Sequence, residues 1–273
     1  MLLCLTVKAQ TNLDIRFLEH LVNRGDYREA LFLIPDNPTV GTPAKKDSLN
    51  YLKGWALYSL KELGPSSTSF LNVSEQSPNY LKSRFFAAYN QIYLSDFSQA
   101  TAILNGIQSK ESLFQPLRNF ELAGIDILNH RYDNAETKLG NIDSTLSVLY
   151  EPLLKMKFIT SDLKKHKAKS PLLAGIFSAI VPGTGKIYAG KTGQGISSFI
   201  ATVGLGLITW ENYRKLGPAN IKTIAFGTAF AANYVSGVYG SVLSAKIVEN
   251  EYETIAHNQV LFQLHIPLRN FFD

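Results

Sequence analysis

The chain reads as an all-α protein: a helical-repeat half followed by a membrane-embedded helical module. Three observations predict this. Apolar residues recur at helical spacing through residues 13–160, as in Leu13, Phe17, Leu18, Leu21 and again Leu49, Leu52, Ala56, Leu60. A bulky residue three positions before a small one returns every 34 to 36 residues. Beyond Ser170, three stretches at 170–185, 192–210 and 223–245 carry no charge.

Length and composition agree with that split. At 273 residues there is room for one or two domains with a sizeable core. Hydrophobic residues make up 45% and charged residues only 18%, against roughly 25% charged in ordinary soluble domains. Most of the charge lies before residue 170. The net charge of +5 does not point to nucleic acid. Much of the excess is Lys164, Lys165, Lys167 and Lys169, and a basic cluster just ahead of an apolar stretch is a membrane-flanking feature.

The first residues resemble a secretion signal over 1–9. Leu2-Leu3-Cys4-Leu5-Thr6-Val7 is a short apolar run, and Val7 and Ala9 fit the −3 and −1 positions of a cleavage site after Ala9. The basic region that usually opens such a signal is missing, which leaves room for a true start further upstream. Cys4 is the only cysteine, so no internal disulfide forms. Leu3 is too large to precede a lipidated cysteine. The expected location is the bacterial inner membrane, with the repeat domain in the periplasm.

Helical repeats are expected over 10–163. Loops are marked by Pro35-Asp36-Asn37-Pro38, Gly41-Thr42-Pro43, Gly64-Pro65-Ser66-Ser67 and Ser77-Pro78-Asn79. The bulky/small pairs are Tyr27/Ala30, Leu63/Ser66, Phe97/Ala100 and Tyr132/Ala135. The bulky residue marks the start of a second helix, and the small one lets the first helix approach. A single pair cannot bury its apolar face alone, so pairs stack. Gly54-Trp55-Ala56-Leu57-Tyr58 and Ala123-Gly124-Ile125 mark the crossing points of first helices. Period and pairing resemble about four degenerate tetratricopeptide repeats. The resemblance implies a concave face for a protein partner, with Tyr80, Phe85, Phe86, Tyr89 and Tyr93 as candidate lining residues, although inter-repeat core is the favoured place for most of them.

The membrane module is expected over 164–248. The runs at 192–210 and 223–245 are long enough for two transmembrane helices. The segment at 170–183 is shorter and broken by Pro182-Gly183-Thr184-Gly185, so it reads as an interfacial or re-entrant helix. Ser236, Gly240 and Ser244 recur every four residues as a helix-packing stripe, and Asn233 needs an interhelical partner. Tyr188, Trp210 and Tyr213 fall at run ends. Residues 249–273, opening with Glu249, Glu251 and Glu253, read as a C-terminal tail. The segment Ser170-Pro171-Leu172-Leu173-Ala174-Gly175 to Ser178-Ala179-Ile180-Val181-Pro182-Gly183-Thr184-Gly185-Lys186-Ile187-Tyr188-Ala189-Gly190 resembles a short bacterial membrane module. It is also similar to the TM2-type hairpin domain. The resemblance implies a turn motif of Pro182, Gly183, Gly185, Tyr188 and Gly190, with Lys186 where glutamine is usual.

Enzyme chemistry is not expected. His20, His130, His166, His257 and His265 are scattered without metal-ligand spacing, and no Gly-x-Ser-x-Gly elbow occurs. Gly183-Thr184-Gly185-Lys186 lacks the spacing of a phosphate loop and the Ser or Thr that should follow its lysine. No cofactor, metal or small-molecule substrate is expected, and no nucleic acid. The expected function is a membrane-anchored scaffold or adaptor whose partners are lipid and protein, most simply a membrane protein complex. The alternative is an accessory subunit of membrane-protein insertion or secretion machinery. A transporter would rest on Asn233 alone.

Overall fold

The computed structural model describes residues 14–35, 42–107, 114–142 and 147–272, so the signal-like start and Cys4 lie outside the described residues. The described residues form thirteen helices and no strand. They divide into two compact units, Met1–Lys164 with Gln259–Asp273, and Lys165–Asn258.

The first unit opens with four helix pairs: α1 (Ile15–Arg24) with α2 (Tyr27–Leu33), α3 (Pro43–Ser59) with α4 (Leu63–Leu71), α5 (Tyr80–Tyr93) with α6 (Phe97–Asn105), and α7 (Phe114–Leu128) with α8 (Tyr132–Gly140). α9 (Ser147–Lys165) follows them. Each second helix begins on the bulky residue of its pair, and Ala30, Ser66, Ala100 and Ala135 are all fully buried. The connection between the helices also repeats. Gly25, Lys61, Ser95 and His130, each two residues before a second helix, all have positive φ, between 58° and 88°. Their amide N–H groups donate to Val22, Tyr58, Ile92 and Ile127, closing the preceding helix the same way four times.

Polar ties fix neighbouring helices. Ser66 Oγ donates to Gly54 O at 2.8 Å, and Asn90 Nδ2 donates to Ser66 Oγ at 2.9 Å, joining α3, α4 and α5. Arg84 donates to the carbonyls of Phe70 and Val73 at the end of α4. Gly54 is the close crossing of α3 with α4, since a Cβ there would stand 2.6 Å from Phe70. Phe70, Phe85, Phe86, Phe120, Leu117 and Leu149 are fully buried between the helices.

The second unit contains α10 (Pro171–Ile180), α11 (Thr184–Tyr188), α12 (Thr192–Leu216) and α13 (Ile221–Phe272) as far as Asn258. Ser170 caps α10 and Pro171 takes its first position. At 10 residues, α10 is about 15 Å long, half the thickness of a bilayer core. α12 and α13 contain the two runs expected to span a membrane. Among the described residues, no helix is long and apolar enough to cross one. The cause is dilution: 192–210 includes Gly193, Gly195, Gly204, Gly206, Ser197, Ser198, Thr202 and Gln194.

The expected C-terminal tail is instead helix. α13 runs without interruption from Ile221 to Phe272, and its last 14 residues belong to the repeat unit. Val260, Leu261, Leu264 and Leu268 lie on one helical face, and all four are buried. Burial of that face holds the segment; the glutamates at 249, 251 and 253 interrupt only the hydropathy, not the helix.

Candidate partner face and apolar module

The inner face of the repeat unit is built from the first helices of consecutive pairs. On α3 it carries Tyr58, on α5 Phe85 and Tyr89, and on α7 Phe114, Glu121 and Gly124. Against it lies the chain's own segment 259–272. Leu264 fills the notch at Gly124, where a Cβ would stand 2.5 Å from its side chain. Thus Gly124 is a close crossing, as expected, but with the C-terminal helix rather than a repeat neighbour. Tyr89 OH donates to Leu261 O at 3.4 Å, and its ring stacks on His265 at 5.1 Å. Tyr58 OH and His265 Nε2 share a short hydrogen bond. Phe85 and Phe114 meet Phe272 at 5.8 and 5.9 Å, and Lys82 Nζ donates to the Phe272 carbonyl at 3.1 Å.

Most of the aromatic residues take the core place favoured for them, and their candidate lining role finds no open face. Tyr80, Phe85, Phe86 and Tyr89 are buried in the unit's core and present no open surface. Of the candidate lining residues only Tyr93 is exposed, at 54%. Hydropathy at 85–89 cannot separate an open aromatic face from one covered by residues 170 positions later in the chain.

One group in this face is poorly served. Glu121 is fully buried, and neither carboxylate oxygen has a hydrogen-bond partner among the described residues. Burial raises its pKa well above the ordinary range, so the neutral acid is favoured. On α5, Asn90 Oδ1 and Ser83 Oγ are also buried without a partner. Desolvation pushes Tyr58 up to about 12 and lowers His265, the latter helped by Arg269 and Lys61. Nothing in the sequence singles out Glu121 except one acid on an otherwise apolar helical stripe: Phe114, Leu117, Glu121, Gly124.

The second unit is built the other way round. Its buried residues are Ala174, Gly175, Ser178, Gly183, Gly185, Ala189, Gly195, Thr202, Thr223, Ser241, Ser244, Ala245 and Ala256: every one is Gly, Ala, Ser or Thr. Most of the large apolar residues are exposed. Leu172, Ile180, Ile200, Leu207, Ile221 and Val235 are each exposed by more than 60%.

The turn motif gathers at one place. Gly183, with φ of +84°, reverses the chain, and α11 returns along α10. Tyr188 OH accepts from Ser170 N at 3.1 Å, tying the end of α11 to the start of α10. A Cβ on Gly185 would lie 1.8 Å from Ala174 O, and one on Gly183 would lie 2.1 Å from Gly195 O. Gly190, at φ of +90°, makes the next turn, and Pro182 precedes the reversal half-buried. Where an interfacial or re-entrant helix was expected, two short helices, α10 and α11, fold back on each other about this turn.

Hydrogen bonds line the interior. Ser178 and Ser241 hydroxyls meet at 2.7 Å, and Lys186 Nζ donates to Ser198 Oγ at 2.6 Å. Asn233 finds the interhelical partner it needs, accepting from Thr202 Oγ1 at 2.8 Å. The packing stripe is used only in part. Ser244 is buried and Gly240 meets Lys186, whereas Ser236 is exposed. The face that α10 and α11 cover runs through Ser241, Val242 and Ala245. His166 also has a partner, Glu249 Oε1 at 2.8 Å, and stacks on Tyr252 at 3.8 Å. Among the described residues, no group of His, Cys, Asp and Glu is arranged to hold a metal. No known protein family, curated protein or solved structure matches the chain.

Proposed function

We propose that the chain is a membrane-anchored adaptor of the bacterial envelope: residues 165–258 sit in the bilayer and the tetratricopeptide-like repeats recruit a protein partner. One observation carries the reading. Residues 165–258 fully bury only Gly, Ala, Ser and Thr and leave most of their Leu, Ile, Val and Phe exposed. In water the hydrophobic effect drives the opposite arrangement. In lipid there is no such drive between helices, and small residues with interhelical hydrogen bonds give close packing.

Mean hydropathy counts inward and outward residues alike, so a bundle with a small, polar interior scores low however apolar its outer surface is. Lipid meets only the outer surface. The re-entrant pair α10–α11 suits a half-depth insertion, because the Ser178 and Thr184 hydroxyls serve backbone groups at the turn that such short helices leave free, and the turn packs on α12. With α12 and α13 as the two spans, both flanking segments lie on the same side of the membrane. We assign that side to the periplasm and the link 217–220 to the cytoplasm.

Single cysteines in a Cys4→Ser background test this. Ile200→Cys and Val235→Cys are expected to resist a membrane-impermeant maleimide until detergent is added. Ala219→Cys is expected to label only after the inner membrane is opened, and Asp162→Cys in cells with only the outer membrane permeabilised. Alkaline carbonate should leave the protein in the membrane. Release by carbonate, with position 200 reacting as fast as position 219, would overturn the membrane reading; reversed labelling at 162 and 219 would overturn only the orientation.

A further inference from the structure

We propose that the inner face of α3, α5 and α7 is the docking groove for an amphipathic partner helix bearing a lysine or arginine, with segment 259–272 holding that place in cis. The proposal rests on the reading that the repeats recruit a protein, and it names where and by what chemistry.

The occupied groove itself specifies the shape of its ligand. A helix fits there with apolar side chains at 260, 261, 264 and 268 and an aromatic pair at 271–272. It lies antiparallel to α7: Phe114 meets Phe271 and Phe272, and Gly124 meets Leu264. Glu121 is one turn from Gly124 on the same stripe, which sets it opposite the turn that carries Leu268.

There the fit is chemically incomplete. Leu268 offers nothing to a carboxyl, and both Glu121 oxygens stay without a hydrogen bond. The segment does have a cation at this level, Arg269, but it is exposed and bears on Tyr58 and His265 rather than on Glu121. A buried acid without a partner costs stability, and a charge-assisted hydrogen bond to it recovers that cost. A helix that keeps the apolar pattern and sets an ammonium or guanidinium at the position of Leu268 therefore displaces the native segment.

The test uses the full chain in detergent and two fluorescent 14-residue peptides. One has the sequence of 259–272; the other carries Leu268→Lys. The receptor is the Leu264→Asp chain, which cannot seat its own helix in the Gly124 notch. The lysine peptide is expected to bind about tenfold more tightly than the native-sequence peptide. Adding Glu121→Gln to the receptor should abolish the preference while leaving the native-sequence peptide's affinity within about twofold. If Leu264→Asp leaves the repeats unfolded, the same comparison is made by the peptide concentration that restores Trp55 fluorescence in a Trp210→Phe background. Equal affinities for the two peptides, or a preference that survives Glu121→Gln, overturn the cation assignment but leave partner recruitment standing. Failure of both peptides to bind or to restore folding overturns the groove itself.

Discussion

Glu121 gives the repeat unit an unusual pH dependence. A carboxyl held above its ordinary 4.5 binds its proton more tightly folded than unfolded. Its contribution to stability is full below pH 4.5 and is lost as pH rises toward the raised value. His265 works in the opposite sense. Its pKa is lowered from 6.5, so its contribution is full above pH 6.5 and is lost as pH falls through the lowered value. Replacing Glu121 by leucine removes the first slope and the unpartnered oxygens together. Glu121→Leu is expected to stabilise the unit by roughly 1–3 kcal/mol at pH 8 and by less at pH 5. Denaturant unfolding followed by Trp55 at the two pH values measures this. An equal gain at both pH values would show that Glu121 does not titrate between them.

At the scale of elements, the repeats were legible from pairs of residues and the α10–α11 hairpin only from its glycines. Tyr27, Leu63, Phe97 and Tyr132 mark second helices because each is the first residue past a left-handed connection. That geometry depends on local backbone chemistry, so its period survives in the sequence. The hairpin depends on absent side chains. Gly185 meets Ala174 backbone, and no larger residue fits unless α11 moves off α10. Gly193, in the first turn of α12, has nothing near it. The two glycines therefore respond differently to the same change. Gly185→Ala is expected to destabilise the second unit by about 1–3 kcal/mol through overpacking. Gly193→Ala is expected to be neutral or to stabilise by up to about 1 kcal/mol through helix propensity. Thermal unfolding of the detergent-solubilised protein compares them; equal losses would mean that the half-helices do not pack as described. The covered inner face was not legible for a different reason. Residues 259–272 show a sound amphipathic pattern, but no local feature reveals that α7, more than 130 positions earlier, is what they cover.

Across the whole molecule, two opposite packing rules hold along one chain. The repeat unit buries Phe, Leu and Ile, and the unit at 165–258 buries only Gly, Ala, Ser and Thr. This contrast was half visible in the sequence, where charge-free runs rich in small residues stand beside charged amphipathic ones. The sequence pattern alone does not say which way those small residues point, because a small-residue stripe on α13 has no visible partner until α10 and α11 are folded onto it. The direction has a consequence that separates lipid from water as the surrounding medium. On a water-exposed surface, replacing an outward isoleucine by arginine changes stability by no more than about 0.5 kcal/mol. Facing the hydrocarbon, the same change costs roughly 3–4 kcal/mol near the middle of a span. Ile200 and Val235 are both exposed by 65%, so neither packs tightly inside the unit. Ile200→Arg and Val235→Arg are therefore expected to reduce the carbonate-resistant fraction, and the double variant more than either alone. Lys222→Ala, at the edge of the same helix, serves as the control and should leave that fraction unchanged. If both arginine variants stay as firmly membrane-bound as the parent protein, the outward apolar residues do not face lipid, and the inverted packing must serve a protein neighbour that covers them.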